Sequence, residues 1–262
     1  MILAFDIGNT HIVIGGIEGE KIVFSTRVST DLNKTEAEYA VLLKNVLEIY
    51  RVDPARIEGS ILSSVVPPLN NPFIKVLELL CGKKPLVVGP GIRTGLNIAH
   101  GDARELGADL VVAAVAALGK YPRPQIILDM GTATTLSVLD REGVFQGVVI
   151  CPGVMVSFDA LSSRAAQLPR ISFDVPKQVI GSTTVESMQS GLIYGSAAML
   201  DGLIDRIEDE LGEKCTVVAT GGLSGQIVPH CRREIVRDED LLLEGLRILY
   251  EKNRRKPKPA GK

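Results

Sequence analysis

The sequence predicts an α/β protein built from two similar halves that face one another across a cleft, and three observations support this. Short apolar segments typical of strands alternate along the 262 residues with segments of helical periodicity. ILAFDIGNTHIVIG near the start and IILDMGTATTLSVL near the middle share an apolar strand, an Asp-x-Gly turn and a second strand. Asp6 and Asp129 of these segments lie about half a chain length apart, a period too long for a solenoid.

The first half, residues 1–120, alternates strand and helix signals. Residues 2–8 and 11–17 predict a β-hairpin, and the chain returns through KIVFSTRV. The apolar run GSILSSVVPP is stopped by two prolines, so it predicts a buried strand with a turn at Pro67. A glycine-rich segment, residues 89–104, predicts a loop. The remaining elements are a strand at KPLVVG and helices over 35–50, 72–80 and 105–118.

The second half, residues 121–253, restarts the pattern after two prolines. PQIILDMGTATTLSVLD predicts a strand, a turn and a strand, VFQGVVICPG follows, and CTVVATGG predicts a strand that ends in glycines. Helices are predicted over 154–166, 184–211 and 240–252. Residues 254–262 are basic and contain prolines, so they predict a disordered, solvated tail.

Composition excludes several classes of protein. The formal net charge of −2 gives no basic stripe for nucleic acid, and 4% aromatic content argues against a base-stacking surface. The longest apolar run is residues 110–118, too short for a membrane span, and the acidic Asp6 interrupts any signal-peptide pattern. Four scattered cysteines without a C-x-x-C pair argue against a zinc site and predict reduced thiols in a cytoplasmic protein.

The segment DIGNT carries the first chemical signal. Gly8 permits a tight turn, and the amides of Gly8, Asn9 and Thr10 with the Thr10 hydroxyl could form a concave set of donors for phosphate oxygens. Asp6 at the strand end could hold the accompanying magnesium ion through water, because magnesium gives up its hydration reluctantly. Most single pentapeptides of this kind are only hairpin turns with a capping aspartate. The motif occurs a second time, as DMGTATT, half a chain length away, and this repetition favours phosphate binding over a simple hairpin turn.

The two Asp-x-Gly segments differ from the commoner phosphate-binding motifs. The sequence contains no G-x-x-x-x-G-K-[ST], so it is not a P-loop ATPase, and GPGIRTG lacks the G-x-G-x-x-G spacing. ATGGLSG, residues 219–225, forms a third glycine turn after a strand and suits close approach of a flat adenosine group. The sequence therefore predicts a nucleotide held by hairpins.

These motifs, in this order, resemble the acetate and sugar kinase, actin-like superfamily, and within it the type III pantothenate kinases. The resemblance extends from Met1 to about Asn253. It implies an actin-like, ribonuclease H-like fold with duplicated domains and mixed sheets flanked by helices. The segments that carry it are DIGNT, SSVVPP, GPGIRTGLNI, ELGAD, DMGTATT, CPGV, Leu168-Pro169, IGSTT, MQSG and ATGGL.

The resemblance implies ATP-dependent phosphorylation of pantothenate on its terminal hydroxyl, the first step of coenzyme A biosynthesis. It assigns Asp109 as the catalytic base and Asp129 as the ligand of a monovalent cation, potassium or ammonium. It also implies magnesium, a cytoplasmic homodimer, and a pocket near the subunit interface. The residues expected to bind ATP are Asp6, Ile7, Gly8, Asn9, Thr10 and Thr132, and those expected at the acceptor are His100, Gly107, Ala108, Leu110 and Thr184.

Physical chemistry agrees with the role implied for Asp109. Phosphoryl transfer depends on positioning and charge neutralisation, and a well-placed base contributes about 10²- to 10⁴-fold. Asp109 is predicted at the start of a helix, where the helix dipole should keep it ionised. Without the family resemblance, a carboxylate there could simply stabilise the first helical turn. A monovalent cation at Asp129 would offset triphosphate charge that magnesium leaves uncovered.

Two departures from the family pattern fall where the acceptor should bind. Leu110 replaces a common arginine, which removes a forked donor suited to the pantothenate carboxylate, and His100 replaces a common tyrosine. Losing such a charge-assisted hydrogen bond costs roughly 1.5–3 kcal/mol unless another group, Arg93 or Arg104, replaces it. Val148 stands where the family usually has a second glycine, and Met130 stands where it has phenylalanine. We interpret both as packing variants.

Two alternatives stay open from the sequence. The departures at residues 100 and 110 allow a kinase for a related small hydroxy acid or sugar, which a panel of acceptors would reveal. The fold also allows a catalytically inactive nucleotide-binding regulatory protein. Retention of Asp109 argues against this second alternative, because a protein without phosphotransfer has no chemical need for that carboxylate.

Overall fold

The computed structural model describes residues 1–99, 106–165 and 168–254, and it divides into two compact units. Unit 1 comprises Met1–Leu96, Gly101–Ala116 and Leu241–Lys262, and unit 2 comprises Asn97–His100 and Ala117–Asp240. None of the helices in the described ranges is long and apolar enough to span a bilayer.

Eleven strands and seven α-helices occur in the described part of the chain. The strands are β1 Ile2–Ile7, β2 His11–Glu18, β3 Lys21–Ser29, β4 Gly59–Ser64, β5 Leu86–Val87, β6 Asn97–Ile98, β7 Gln125–Met130, β8 Ala133–Leu139, β9 Val144–Pro152, β10 Thr216–Thr220 and β11 Val236–Arg237. The helices are α1 Glu36–Ile49, α2 Pro67–Cys81, α3 Ala108–Lys120, α4 Val154–Arg164, α5 Thr184–Leu211, α6 Ser224–Ile227 and α7 Leu241–Asn253.

The sheet of unit 1 has the strand order β3-β2-β1-β4-β5. β1, β2 and β3 form an antiparallel meander, whereas β4 lies parallel to β1 and β5 parallel to β4. Successive side chains of a strand point to opposite faces. Leu3 and Phe5 therefore pack with buried residues of α1 and α2, and Ile2 and Ala4 pack with those of α3 and α7.

The sheet of unit 2 has the order β11-β10-β7-β8-β9-β6 and repeats the arrangement of unit 1. β7, β8 and β9 form the antiparallel meander, and β10 lies parallel to β7 as β4 does to β1. Ile126, Leu128 and Met130 on one face of β7 pack against Ile193 and the rest of the buried side of α5. The predicted α/β fold with two similar strand-rich halves is confirmed.

Two predicted elements differ from the structure. The turn predicted at Pro67 is instead the first residue of α2, because proline at the first helical positions gives up an N–H that has no helical acceptor there. α7 was predicted in the second half, but Leu243, Leu246 and Leu249 are buried in unit 1, in one cluster with Ile2. Unit 1 therefore contains α7, and the predicted domain boundary between residues 120 and 121 stays a prediction.

The sequence did not predict three short elements, namely β6, β11 and α6. Each has only two to four residues, too few to show a periodicity of two or 3.6. The tail predicted to be disordered lies almost wholly outside the described residues, which end at Arg254.

Candidate active site

The turn between β1 and β2 is held in place from two sides. The Gly8 amide donates to the His11 carbonyl oxygen at 3.0 Å, and a β-carbon on Gly8 would lie 3.1 Å from that oxygen. Thr30, just after β3, donates its hydroxyl to the Gly8 carbonyl at 2.6 Å and its amide to the Thr10 carbonyl at 3.0 Å. Asn9 and Thr10 are exposed. The turn therefore presents a fixed backbone to solvent.

The turn between β7 and β8 has a similar internal hydrogen bond, with an acceptor two residues after the glycine instead of three. The Gly131 amide donates to the Ala133 carbonyl at 3.0 Å, and the Gly153 amide, between β9 and α4, donates to the Thr132 carbonyl at 3.1 Å. A β-carbon on Gly153 would collide with the carbonyl oxygens of Gly131 and Thr132. Glycine at position 153 is therefore required for this close approach, and it leaves Thr132 exposed on a supported turn.

A third turn packs beside Asp129. Gly221 follows β10 with φ +90°, and a β-carbon there would lie 2.6 Å from Oδ1 of Asp129 and 2.5 Å from the Met130 amide nitrogen. The Leu223 amide donates to the Met130 carbonyl at 3.4 Å. The glycine turn that the sequence associated with the nucleotide therefore lies directly against the strand-end aspartate of unit 2.

The surroundings of Asp129 suit a cation that prefers oxygen ligands. Asp129 on β7 is paired with Thr135 on β8 and with Thr220 on β10, so all three side chains share one face of the sheet. Oγ1 of Thr135 is buried and has no hydrogen-bond partner among the described residues. No group of three or more histidine, cysteine or acidic residues within the described ranges could hold a metal. A cation here would therefore rely on hydroxyl, carbonyl, water and phosphate oxygens besides one carboxylate.

Asp109 lies in the first turn of α3, as predicted. Its Oδ1 accepts a hydrogen bond from the Leu110 amide at 2.8 Å. Burial raises the pKa of Asp109, although backbone hydrogen bonds to Leu110 and to its own amide act in the opposite direction. Desolvation therefore outweighs the helix-terminus effect that the sequence predicted, because a charged carboxylate loses more hydration than two backbone donors return.

The residues next to Asp109 have distinct environments. A β-carbon on Gly107 would collide with Oδ1 of Asp109, so glycine leaves room for the carboxylate. Ala108 is half-buried, and Leu110 is 9% exposed within unit 1. His100, predicted at the acceptor, and Arg104, predicted to replace the missing arginine, lie outside the described residues.

Thr184 begins α5 and lines a cavity of about 620 Å³ in unit 2. Thr183 caps the helix by accepting a hydrogen bond from the Glu186 amide at 3.2 Å, which fixes the position of Thr184. The cavity combines an apolar wall with several hydroxyl groups. Its lining residues include Val154, Ser157, Phe158, Leu161, Ser182, Thr184, Ser187 and Met188.

The predicted site residues are distributed over both units. Asp6 to Thr10 and Gly107 to Leu110 belong to unit 1, and Asp129, Thr132 and Thr184 belong to unit 2. Sequence reasoning missed two hydroxyl residues beside the two strand-end aspartates, Ser63 and Thr220, whereas it had noted the Thr135 hydroxyl within the second hairpin. Strand register brings them there, and no sequence motif marked the pairing.

Comparison with known proteins identifies a family match over most of the chain. The family model described as type III pantothenate kinase matches residues 2–206. A type III pantothenate kinase from Exiguobacterium is 46% identical over 255 residues, covering 97% of this chain and all of that protein. One from Syntrophus aciditrophicus is 42% identical over 257 residues, covering 97% of this chain and all of that protein.

A solved structure supports the fold. The activator of the 2-hydroxyisocaproyl-CoA dehydratase from Clostridium difficile, determined with bound ADPNP, superposes with a TM-score of 0.57. The match covers 96% of this chain and 94% of that chain at 15% identity, so the similarity concerns the fold alone.

Proposed function

Because this chain belongs to the type III pantothenate kinase family, we propose that its two glycine hairpins bind ATP and that Asp109 is the base of phosphoryl transfer. The reaction itself follows from the family: the chain phosphorylates pantothenate with ATP in coenzyme A biosynthesis. The proposal concerns the residues that perform this reaction and the ions that support it.

The duplicated hairpin is the observation that carries the proposal. In each unit an aspartate is the last residue but one of β1 or β7, and the amide of the glycine two residues later donates to a carbonyl across the turn at 3.0 Å. As the family resemblance implies, we assign ATP binding to Asp6, Ile7, Gly8, Asn9, Thr10 and Thr132. The amides of Gly8 and Gly131 donate within the turns, so the expectation that the Gly8 amide binds phosphate is wrong. The exposed residues Asn9, Thr10 and Thr132 would supply the donors, and a fixed turn can stabilise phosphate charge without reorganisation.

Asp109 would accept the proton from the terminal hydroxyl of pantothenate as the new phosphate ester bond forms. Burial raises the pKa of this carboxyl, and a base is more effective as its pKa approaches the working pH. Gly107 keeps the space beside Oδ1 open. Asp109 therefore combines a carboxylate that no side chain at position 107 obstructs with a raised proton affinity.

We propose that two cations neutralise the negative charge of the ATP triphosphate. Magnesium would be held by Asp6 through water, and a potassium or ammonium ion by Asp129, where Thr135 and Thr220 offer further oxygens. These ions would neutralise the negative charge of the triphosphate. The residues of the two turns would orient the phosphates.

The family resemblance implies that the acceptor contacts Gly107, Ala108, Leu110 and Thr184, with His100 as a further contact, and we propose these residues for acceptor binding. The cavity beside Thr184 offers apolar surface for the dimethyl part of pantothenate and hydroxyls for its polar groups. Arg93 is the candidate partner for the carboxylate, because Leu110 stands where the family commonly has arginine.

We further propose a cytoplasmic homodimer. Several large apolar side chains are exposed in and near α4 and the start of α5, with Leu161 at 49% and Ile180 at 85% exposure. Exposed apolar side chains of this size would suit the interface of such a dimer. All four cysteines are free, as expected for a reducing compartment.

The test measures ADP release with ATP, magnesium and potassium, with and without pantothenate, for the wild type and Asp109→Asn. We expect pantothenate to stimulate turnover and the substitution to lower kcat by about 10²- to 10⁴-fold, while calorimetric ATP affinity stays unchanged. Asp209→Asn, at an exposed position near the end of α5, is the matched control and should retain wild-type turnover.

Each proposed role has a contradicting outcome. If Asp109→Asn keeps kcat within tenfold of the wild type, Asp109 is not the base. A panel of other hydroxylated acids and sugars shows whether Leu110 has changed the acceptor preference; faster turnover of one of them would overturn the acceptor site proposed here.

A further inference from the structure

Ser63 lies beside Asp6 on the neighbouring strand. β1 and β4 are parallel, and their register pairs Ala4 with Ile61 and Asp6 with Ser63. Ala4 and Ile61 belong to the same buried cluster. Ala4 lies two residues before Asp6, and Ile61 lies two residues before Ser63. Because side chains alternate along a strand, Asp6 and Ser63 point to the same face of the sheet.

The Ser63 hydroxyl is buried and unsatisfied. The residue is 0% exposed, and its Oγ has no hydrogen-bond partner among the described residues. Ser64, the next residue, already serves the turn after β4, because its Oγ accepts from the Val66 amide at 3.1 Å. Buried hydroxyls are normally hydrogen-bonded, and an exception calls for a partner such as an ordered water or a bound ion and its ligands.

Unit 2 shows the same juxtaposition independently. β10 occupies the position beside β7 that β4 occupies beside β1, and its register pairs Thr220 with Asp129. Thr220 is 1% exposed. Each strand-end aspartate therefore has a buried hydroxyl residue at the paired position of its parallel neighbour, which a single accidental serine would not explain.

We propose that Ser63 is a positioning residue for Asp6: its hydroxyl donates a hydrogen bond to the Asp6 carboxylate when magnesium and ATP are bound. Paired residues on neighbouring strands lie about 5 Å apart, so rotation about χ1 brings a serine hydroxyl within reach of the adjacent carboxylate. The bond would hold the carboxylate toward the hydrated magnesium ion. The inference rests on the magnesium role proposed for Asp6.

The experiment measures ATP binding by calorimetry over a magnesium titration, for the full chain without pantothenate. We expect Ser63→Ala to raise the magnesium concentration for half-maximal enhancement of ATP affinity by roughly tenfold, the size of one charge-assisted hydrogen bond. ATP affinity without magnesium should not change. The thermal midpoint should not fall, because the deleted hydroxyl has no partner in the structure.

Ser60→Ala is the matched control. Ser60 lies on the same strand and is 1% exposed, but it shares a face with Leu62, which packs toward α1 and α2. The control should leave the magnesium requirement within twofold of the wild type. A shift of less than twofold for Ser63→Ala, or equal shifts for the two variants, would overturn the positioning role.

Asp6→Asn separates this inference from the proposed function. If Asp6→Asn loses the magnesium enhancement while Ser63→Ala keeps it, the role of Ser63 is overturned and that of Asp6 stands. If Asp6→Asn keeps the wild-type magnesium requirement, both roles fail together.

Discussion

Gly221 and Asp129 approach so closely that no other residue fits at position 221 without movement. A β-carbon on Gly221 would lie 2.6 Å from Oδ1 of Asp129, and the φ angle of +90° is itself unfavourable for other residues. The turn after β10 and the end of β7 therefore fix one another. The position of the Asp129 carboxylate therefore depends on glycine, which has no β-carbon, at position 221, far away in the sequence.

Gly221→Ala should disturb Asp129 as well as the backbone. The left-handed conformation costs alanine about 1–2 kcal/mol, and the collision with Asp129 and the Met130 amide adds about 1–3 kcal/mol. Urea unfolding measures the loss of stability, and a potassium titration of activity measures the displaced carboxylate. Gly212→Ala is the control, because Gly212 has φ +73° with no atom near the added carbon. Equal losses for both variants would show that the close approach has no energetic consequence.

Asp129→Ala should remove the potassium dependence of the kinase and weaken ATP binding by roughly tenfold, the effect of losing one charge-assisted contact. The remaining oxygens of Thr135 and Thr220 are neutral and cannot hold a monovalent cation as well as a carboxylate can. Turnover is measured against potassium concentration at constant ionic strength. An unaltered potassium curve would refute the cation assignment, and Asp209→Ala, at an exposed position near the end of α5, should reproduce the wild-type curve.

Asp109→Asn should make the protein more stable at neutral pH while abolishing most activity. Burial raises the pKa of Asp109, so the folded state holds this proton more readily than the unfolded chain does. The stability that this group contributes is present below its unfolded pKa and is lost as pH rises through the raised pKa.

The expected signature is a melting temperature above that of the wild type at about pH 8, with a gap that narrows toward about pH 4. Wild-type kcat should fall as pH decreases through the raised pKa, because only the ionised carboxylate accepts a proton. A gap that is constant with pH would mean that burial does not perturb this carboxyl.

Arg93→Ala should raise the KM for pantothenate about tenfold with little change in the KM for ATP, if Arg93 replaces the arginine that Leu110 displaces. The backbone of Arg93 is fixed, because its amide donates to Oδ1 of Asn253 at 2.8 Å and its carbonyl accepts from Nδ2 at 2.9 Å. Steady-state kinetics with each substrate varied separately tests this. Lys44→Ala removes an exposed positive charge from α1 as a control, and an equal rise in KM there would indicate a general charge effect.

The hairpins could be predicted from the sequence because their signals are local. An Asp-x-Gly turn between two apolar segments specifies both strands and the turn, and the structure confirms both hairpins with β1–β2 and β7–β8. The bounds of α5 likewise agree with the prediction, since Thr183 caps its start and Gly212 ends it in a left-handed conformation. Contacts between segments distant in the sequence, such as that of Gly153 with Thr132, were not predictable.

The placement of α7 shows why local signals have this limit. Its apolar periodicity predicted a helix but did not indicate which core Leu243, Leu246 and Leu249 would join. They pack against the face of the unit 1 sheet that Ile2 and Ala4 occupy. The core that α7 joins depends on which apolar face of a sheet is left uncovered once the strands have paired.

The amino-acid sequence by itself determined the class of fold, its duplication and the residue types available for phosphoryl transfer, because periodicity, turn chemistry and motif order are local properties. Only the tertiary structure decided which hydroxyls lie beside Asp6 and Asp129, since strand register pairs residues that are far apart along the chain. It also decided the direction of the pKa shift of Asp109, because desolvation depends on the atoms that pack around a carboxylate rather than on its position in a helix.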